Sequence, residues 1–196
     1  MRAAVCKVLG GADGLTVEDI PAPSMIARGV RIRVHAAALN FADTLMLKGT
    51  YQVKIAPPFV PGVEAAGEVV EVAPGVARVK PGDRVMAHLD HGAFAEEAVA
   101  AEDCVHVIPD AMDFVTAAGF PVVYGTSYLG LVDRARLKAG EVLVVHGAAG
   151  GVGLSAVEIG KKIGATVIAT AGGADKLAVA RAHGADHLID YTTEDV

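Results

Sequence analysis

The residues whose types and spacing could do chemistry lie first in one short run, Val142-Leu-Val-Val-His-Gly-Ala-Ala-Gly-Gly-Val-Gly153. An apolar β-branched segment, a glycine-rich turn and then apolar residues at helical spacing read as strand, turn and helix. Ala148, Gly150 and Gly153 give the turn an A-x-G-x-x-G arrangement. Such a turn holds a pyrophosphate with backbone N–H groups, so Cβ atoms are excluded where the phosphate approaches and where helix meets strand. The helix N-terminus adds unpaired donors and the positive end of its dipole. Ala149, Gly150, Gly151, Val152 and Gly153 are the candidate phosphate-binding residues. About twenty residues on, where an NAD site carries an acid for the ribose hydroxyls, the chain reads Thr170-Ala-Gly-Gly173. That stretch, with Gly172 in it, has no carboxylate to repel a 2′-phosphate, and Lys176 is near enough to pair with one. NADPH is therefore the expected dinucleotide, against the plainer reading of Lys176 as a solvated helix lysine.

The elements that must position this turn change character along the chain. Up to about Pro109, short β-type runs alternate with Pro and Gly turns: Ala3–Val8, Leu15–Ile20, Val30–Ala36, Val63–Val72, Arg84–Ala87, Ala93–Val99 and Val105–Ile108. This spacing predicts an antiparallel β-barrel, interrupted by a helix over Asn40–Lys48 that sets Phe41, Leu45 and Lys48 along one side. After Pro109 the pattern predicts helices at Met112–Gly119 and Val122–Leu137. Next come the strand of the glycine stretch, a helix at Val152–Ile163, a strand at Ala165–Ala171, a helix at Ala174–His183, a strand at His187–Asp190 and a helix starting at Thr192. Alternation of strand and helix indicates right-handed βαβ units and a parallel sheet. The expected domains are 1–122 and 123–196. A dinucleotide-binding sheet has two such halves, so the sequence is expected to be either a fragment of a longer protein or one whose missing half comes from elsewhere.

Composition narrows the partners. A formal charge of −6 argues against a nucleic acid or an anionic membrane, which need basic faces. Two cysteines, Cys6 and Cys104, give no disulfide framework. With no signal-like N-terminus and no apolar run of spanning length, the expected location is the cytoplasm.

With these residues in view, the chain resembles the zinc-independent quinone oxidoreductases, the zeta-crystallin-like branch of the medium-chain dehydrogenase/reductase superfamily. The resemblance runs through Asn40-Phe-Ala-Asp43, Pro61-Gly-Val-Glu-Ala-Ala-Gly67, Gly82-Asp-Arg-Val85, Thr126, Ala148-Ala-Gly-Gly-Val-Gly153 and Asp190-Tyr191. It implies a GroES-like β-barrel catalytic domain followed by the first half of a Rossmann doubly wound parallel sheet, and a homodimer for the longer protein. Asn40 stands where the superfamily's zinc alcohol dehydrogenases place a cysteine, and Val63 where they place a histidine. No zinc is expected, and His88, Asp90 and His91 read as a polar loop rather than a metal cluster.

The resemblance also implies that Asn40, Tyr51 and Thr126 surround the nicotinamide and the acceptor, with Phe41 and Leu45 as apolar lining and Tyr191 near the adenosine phosphate. Asn40 and Tyr51 would hydrogen-bond an acceptor oxygen, and Thr126 would serve the nicotinamide side. Each has a plainer alternative: Asn40 as a helix N-cap, Tyr51 as a loop closer, Thr126 as a cap after Gly125, His146 as a packed strand end, Tyr191 as core filler. Without a Lewis acid the reaction expected is hydride transfer to an electron-poor acceptor. The leading expectation is NADPH-dependent quinone reduction. The alternatives are an alkenal, enone or enoyl double-bond reductase and a non-catalytic NADPH-binding or structural protein.

Overall fold

The structure is a computed structural model that describes residues 1–195. It falls into two compact units, Met1–Pro121 and Val122–Val196.

In the first unit, β1 (Arg2–Cys6) pairs antiparallel with β2 (Leu15–Asp19). β3 (Gly29–Ala37) leads to α1 (Phe41–Leu47), followed by β4 (Glu64–Val72), β5 (Arg84–His88), β6 (Glu97–Ala101), β7 (Val105–Val107) and the short helix α2 (Phe114–Ala118). The last five strands form one antiparallel sheet in the order β6-β3-β4-β5-β7, an open half-barrel rather than a closed one. Alternate β-branched and small residues fill its concave side, with Val30, Ile32, Ala65, Val69, Val85, Ala87 and Val105 all buried. Two register shifts in the β3–β4 pairing bend the strands, as bulges do.

Sequence pattern misplaces β6, expected at Ala93–Val99. Residues 93 and 94 are instead stitched by backbone bonds to Gly62, Pro61 and Ala4, so the apolar run begins as a loop.

In the second unit, α3 (Pro121–Tyr128, its first residue the last of the first unit) gives way to a wider-turned helix over Leu129–Arg134, where Ala135 N–H reaches back five residues to Gly130 O. The single helix expected over Val122–Leu137 is thus two, and Arg136 closes it in the left-handed region at φ 53°. Then come β8 (Val142–His146), α4 (Gly151–Ile163), β9 (Thr166–Ala171), α5 (Ala174–Ala182) and β10 (His187–Asp190). The three strands are parallel in the order β10-β9-β8. One sheet face packs under α4 and α5 through Val145, Val157, Val167, Ala169 and Ala180. Val142 and Val144 on β8 remain 61% and 46% exposed, although parallel sheets bury both faces.

No helix begins at Thr192. Asp190 instead gathers the chain into a turn, its carboxylate accepting from Thr192 N–H at 3.0 Å and its carbonyl from Glu194 N–H at 2.8 Å.

Candidate functional site

The glycine turn is built as its pattern requires. Gly147 takes φ 61°, a left-handed conformation that favours glycine, and lets the chain leave β8 sharply. Ala148 is fully buried, and its N–H donates to Thr170 O at 3.0 Å, tying the turn to β9. Gly150 is the N-cap of α4, and Leu154 N–H closes on its carbonyl at 2.8 Å. The N–H groups of Gly151, Val152 and Gly153 precede Leu154, the first intrahelical donor, and so are left for a ligand or water. A Cβ on Gly153 would lie 2.6 Å from Gly147 O and 2.7 Å from Ala148 Cα, both backbone atoms. A Cβ on Gly150 would meet only Gly147 O at 3.5 Å, so that glycine leaves space rather than filling a packed contact. The geometry is that of a backbone cradle for a pyrophosphate.

Gly172, past the end of β9, is covered by the Tyr191 ring, whose atoms lie 3.0–3.2 Å from where a Cβ would stand. Tyr191 is 52% exposed and so is not core filler. Gly173 N–H donates to Asp190 Oδ1 at 3.1 Å, which fixes the loop entering α5. Lys176 is exposed on the first turn of α5. His146 is exposed at the end of β8 and lies 3.2 Å from Thr170 Oγ1 through Nδ1.

Thr126 lies inside α3 and exposed, so it does not cap a following helix. Its neighbour Ser127, which the sequence reading passed over, is buried. The hydroxyls of Ser127 and Ser155 are 2.8 Å apart, and Ser155 donates to Val123 O at 2.9 Å, locking α3 to α4. A second unforeseen network joins α3, α4 and the end of α5: Tyr124 donates to Glu158, and His183 Nδ1 lies 2.6 Å from the other oxygen. That bond holds the Tyr124 hydroxyl up at about 12. Burial works to raise Glu158, and the bonds from Tyr124 and His183 outweigh it and hold its carboxyl below the usual range.

In the first unit, Asn40 and Tyr51 stand at the two ends of α1. Asn40 is the N-cap of α1 and forms a capping box with Asp43, its side chain accepting from Asp43 N–H while Asn40 N–H donates to Asp43 Oδ2 at 2.7 Å. Asn40 Nδ2 donates to Glu64 Oε1 at 2.8 Å. Both acids are buried, and burial pushes the Asp43 carboxyl above its ordinary value. Tyr51 is half-buried, its N–H bonded to Leu45 O at 3.2 Å. The face of α1 turned inward carries Asp43, Met46 and Leu47, and Phe41 is 78% exposed, so the predicted alignment of Phe41, Leu45 and Lys48 does not describe its packed side. Val63, next to Glu64, is buried. Among the described residues no three His, Cys, Asp or Glu side chains gather as a metal site would require, and no helix is long and apolar enough to cross a membrane. Glu64 and Asp43 escaped the sequence reading because an acid in an apolar run looks like a surface residue; only its place next to Asn40 in space marks it.

Comparison with known proteins accords with this geometry. Residues 27–110 match the alcohol dehydrogenase GroES-like domain, and residues 151–196 match the zinc-binding dehydrogenase family. A quinone oxidoreductase-like protein 2 homolog of Nematostella vectensis is 38% identical over all of this chain and 53% of its own length. The chain thus spans about half the length of that curated relative. The Thermus thermophilus quinone oxidoreductase, solved also with NADPH, superposes with a TM-score of 0.86 at 36% identity, covering 98% of this chain and 60% of that one. An NAD-dependent alcohol dehydrogenase superposes with a TM-score of 0.91 at 35% identity, over 100% of this chain and 65% of that one. A half-barrel followed by a parallel sheet with its glycine turn, matched along the whole chain, makes this protein a member of the quinone oxidoreductase-like branch of the medium-chain dehydrogenase/reductase superfamily.

Proposed function

We propose that the protein containing this chain reduces quinones with NADPH, by hydride transfer that uses no zinc. The observation that carries the cofactor reading is the end of β9: the chain leaves it through Ala171, Gly172 and Gly173, with no acid among these residues and with Lys176 exposed on the helix that follows. An NAD-dependent neighbour shares the fold, so the fold does not choose the cofactor and this local chemistry must. The cradle fits the group, because Gly150 keeps open the space a Cβ would fill and the α4 N-terminus offers its donors there.

In this reading residues 123–196 form the nucleotide-binding part. Ala149, Gly150, Gly151, Val152 and Gly153 hold the pyrophosphate, while Gly172, Lys176 and Tyr191 hold the adenosine 2′-phosphate end. Residues 1–122 form the catalytic part, where Asn40 and Tyr51 orient the reactants, and Thr126 serves the nicotinamide from α3. The bound cofactor supplies the hydride. The protein's contribution is position and exclusion of water. Zinc independence is supported by Asn40 and Val63, which stand where the alcohol dehydrogenases of the superfamily carry ligands, and by an Asn40 amide already engaged with Glu64.

Mixing the full-length protein with NADPH and a naphthoquinone, with and without a chelator, tests the proposal through loss of cofactor absorbance. Chelator-insensitive turnover with NADPH preferred over NADH is expected. Turnover of an enone but no quinone would make it a double-bond reductase, and NADPH binding without either turnover a non-catalytic binding protein.

A further inference from the structure

Asp190 ends β10, and the parallel pairing of β10 with β9 sets it beside Ala171, the last residue of β9. Ala171 stands in the stretch where an NAD site carries its acid. Here an acid reaches the same level from the neighbouring strand. Its Oδ1 accepts from Gly173 N–H at 3.1 Å, from Thr192 N–H at 3.0 Å and from the Thr192 hydroxyl at 2.6 Å. These bonds, that of the Thr192 hydroxyl first, hold the carboxyl below the ordinary carboxylate range and so keep it ionised. All three donors are neutral, and no cation pairs with Asp190 among the described residues. The negative charge is therefore fixed in place and left uncancelled.

That charge touches the loop assigned above to the 2′-phosphate end. Gly173 adjoins Gly172, over which the Tyr191 ring lies, and Lys176 stands exposed on the first turn of α5. A 2′-phosphate brings roughly two negative charges at neutral pH. Lys176 attracts it and Asp190 repels it, whereas the uncharged 2′-hydroxyl of NADH is nearly indifferent to both.

We infer that Asp190 is a specificity-determining residue that opposes the adenosine 2′-phosphate and narrows the preference for NADPH that Lys176 creates. The inference rests on the NADPH reading and deepens it: selectivity at this site is a difference between an attraction from α5 and a repulsion from β10.

Asp190→Asn removes the charge and keeps an oxygen to accept from Gly173 and Thr192. In titrations of the full-length protein, the NADPH dissociation constant is expected to fall about fivefold in this variant, with that for NADH within about twofold of wild type. The gain should shrink as sodium chloride is raised from about 50 to about 500 mM, since charges at an exposed rim are screened. Thr192→Val is the control for loop shape, because it cuts the shortest of the three bonds and leaves the charge; its NADPH affinity should not rise. If Asp190→Asn fails to fold, Asp190→Ser removes the same charge and leaves a hydroxyl to accept from Gly173. No gain for NADPH, a gain shared equally by NADH, a gain that salt does not reduce, or the same gain in Thr192→Val would each overturn the inference. A wild type that binds NADH more tightly than NADPH would sink the cofactor reading alone, and the shift of that ratio toward NADPH in Asp190→Asn would still decide the role of Asp190.

Discussion

The two units position polar groups in opposite ways. In the first, buried acids do the holding: Glu64 and Asp43 fix Asn40, and Glu102, 1% exposed, accepts from Ala77 and Arg78 N–H at 2.6 Å each and pairs with Arg28. In the second, the cradle is backbone, and its specificity lies in side chains that are missing at Gly147, Gly150 and Gly153. A side-chain device is broken by removing atoms and a backbone device by adding them, which makes the contrast open to experiment.

The largest effect is expected where a methyl group meets backbone. Gly153→Ala sets a Cβ against Gly147 O and Ala148 Cα, and should weaken NADPH binding by about 3 kcal/mol, near a hundredfold, while lowering the melting temperature. Gly150→Ala sharpens the point. Its Cβ meets only an ordinary contact at 3.5 Å, so melting should stay unchanged while titration shows NADPH binding weakened about tenfold. Weakened folding in this variant would mean that Gly150 serves the turn rather than the ligand.

Removal is the complementary test. Glu102→Ala leaves the Ala77 and Arg78 donors unpaired and should drop the melting temperature of the first unit by several degrees with NADPH affinity intact. The N–H groups of Ala77 and Arg78 hold the Glu102 carboxyl below its ordinary value. Because the folded value is depressed, this stabilisation is present above the unfolded carboxyl value, near 4.5, and is lost as pH falls through the folded one. Acid melts of wild type should therefore steepen below that pH, and melts of the variant should not. Lys176→Ala is expected to raise the NADPH dissociation constant about fivefold and leave that for NADH unmoved, an outcome that would fail if Lys176 were only a solvated lysine. The smallest change is Ser127→Ala, about 1 kcal/mol in thermal unfolding from its hydroxyl bonds to Ser155 and Val152.

The same contrast explains what the sequence disclosed. A backbone device leaves a pattern, since glycines at fixed spacing between strand and helix mark the turn, and β10 at His187–Asp190 is legible from the alternation of strand and helix that leads to it. Side-chain devices leave none. Glu64 and Glu102 look like any acids in a chain of this charge until tertiary pairing buries them, and Ser127, Ser155 and the Tyr124–Glu158–His183 network come from three separate segments. Where apolar runs continue through a turn, as at 93–95, local pattern cannot tell continuation from change, because the deciding bonds are to the distant Gly62, Pro61 and Ala4; where the helix widens past Tyr128, apolar spacing does not distinguish a bond four residues back from one five back.

Glu102 has one further consequence, in time rather than energy. The segment after β4 that carries Ala77 and Arg78 is irregular, and irregular segments ordinarily exchange their amide hydrogens through local opening. Here both amides are bound by an acid seated far along the chain, so releasing them means undoing contacts to Arg28 as well. These two protons should persist in heavy water about as long as those of β3 and β4, marking a loop that moves at the pace of the sheet beside it.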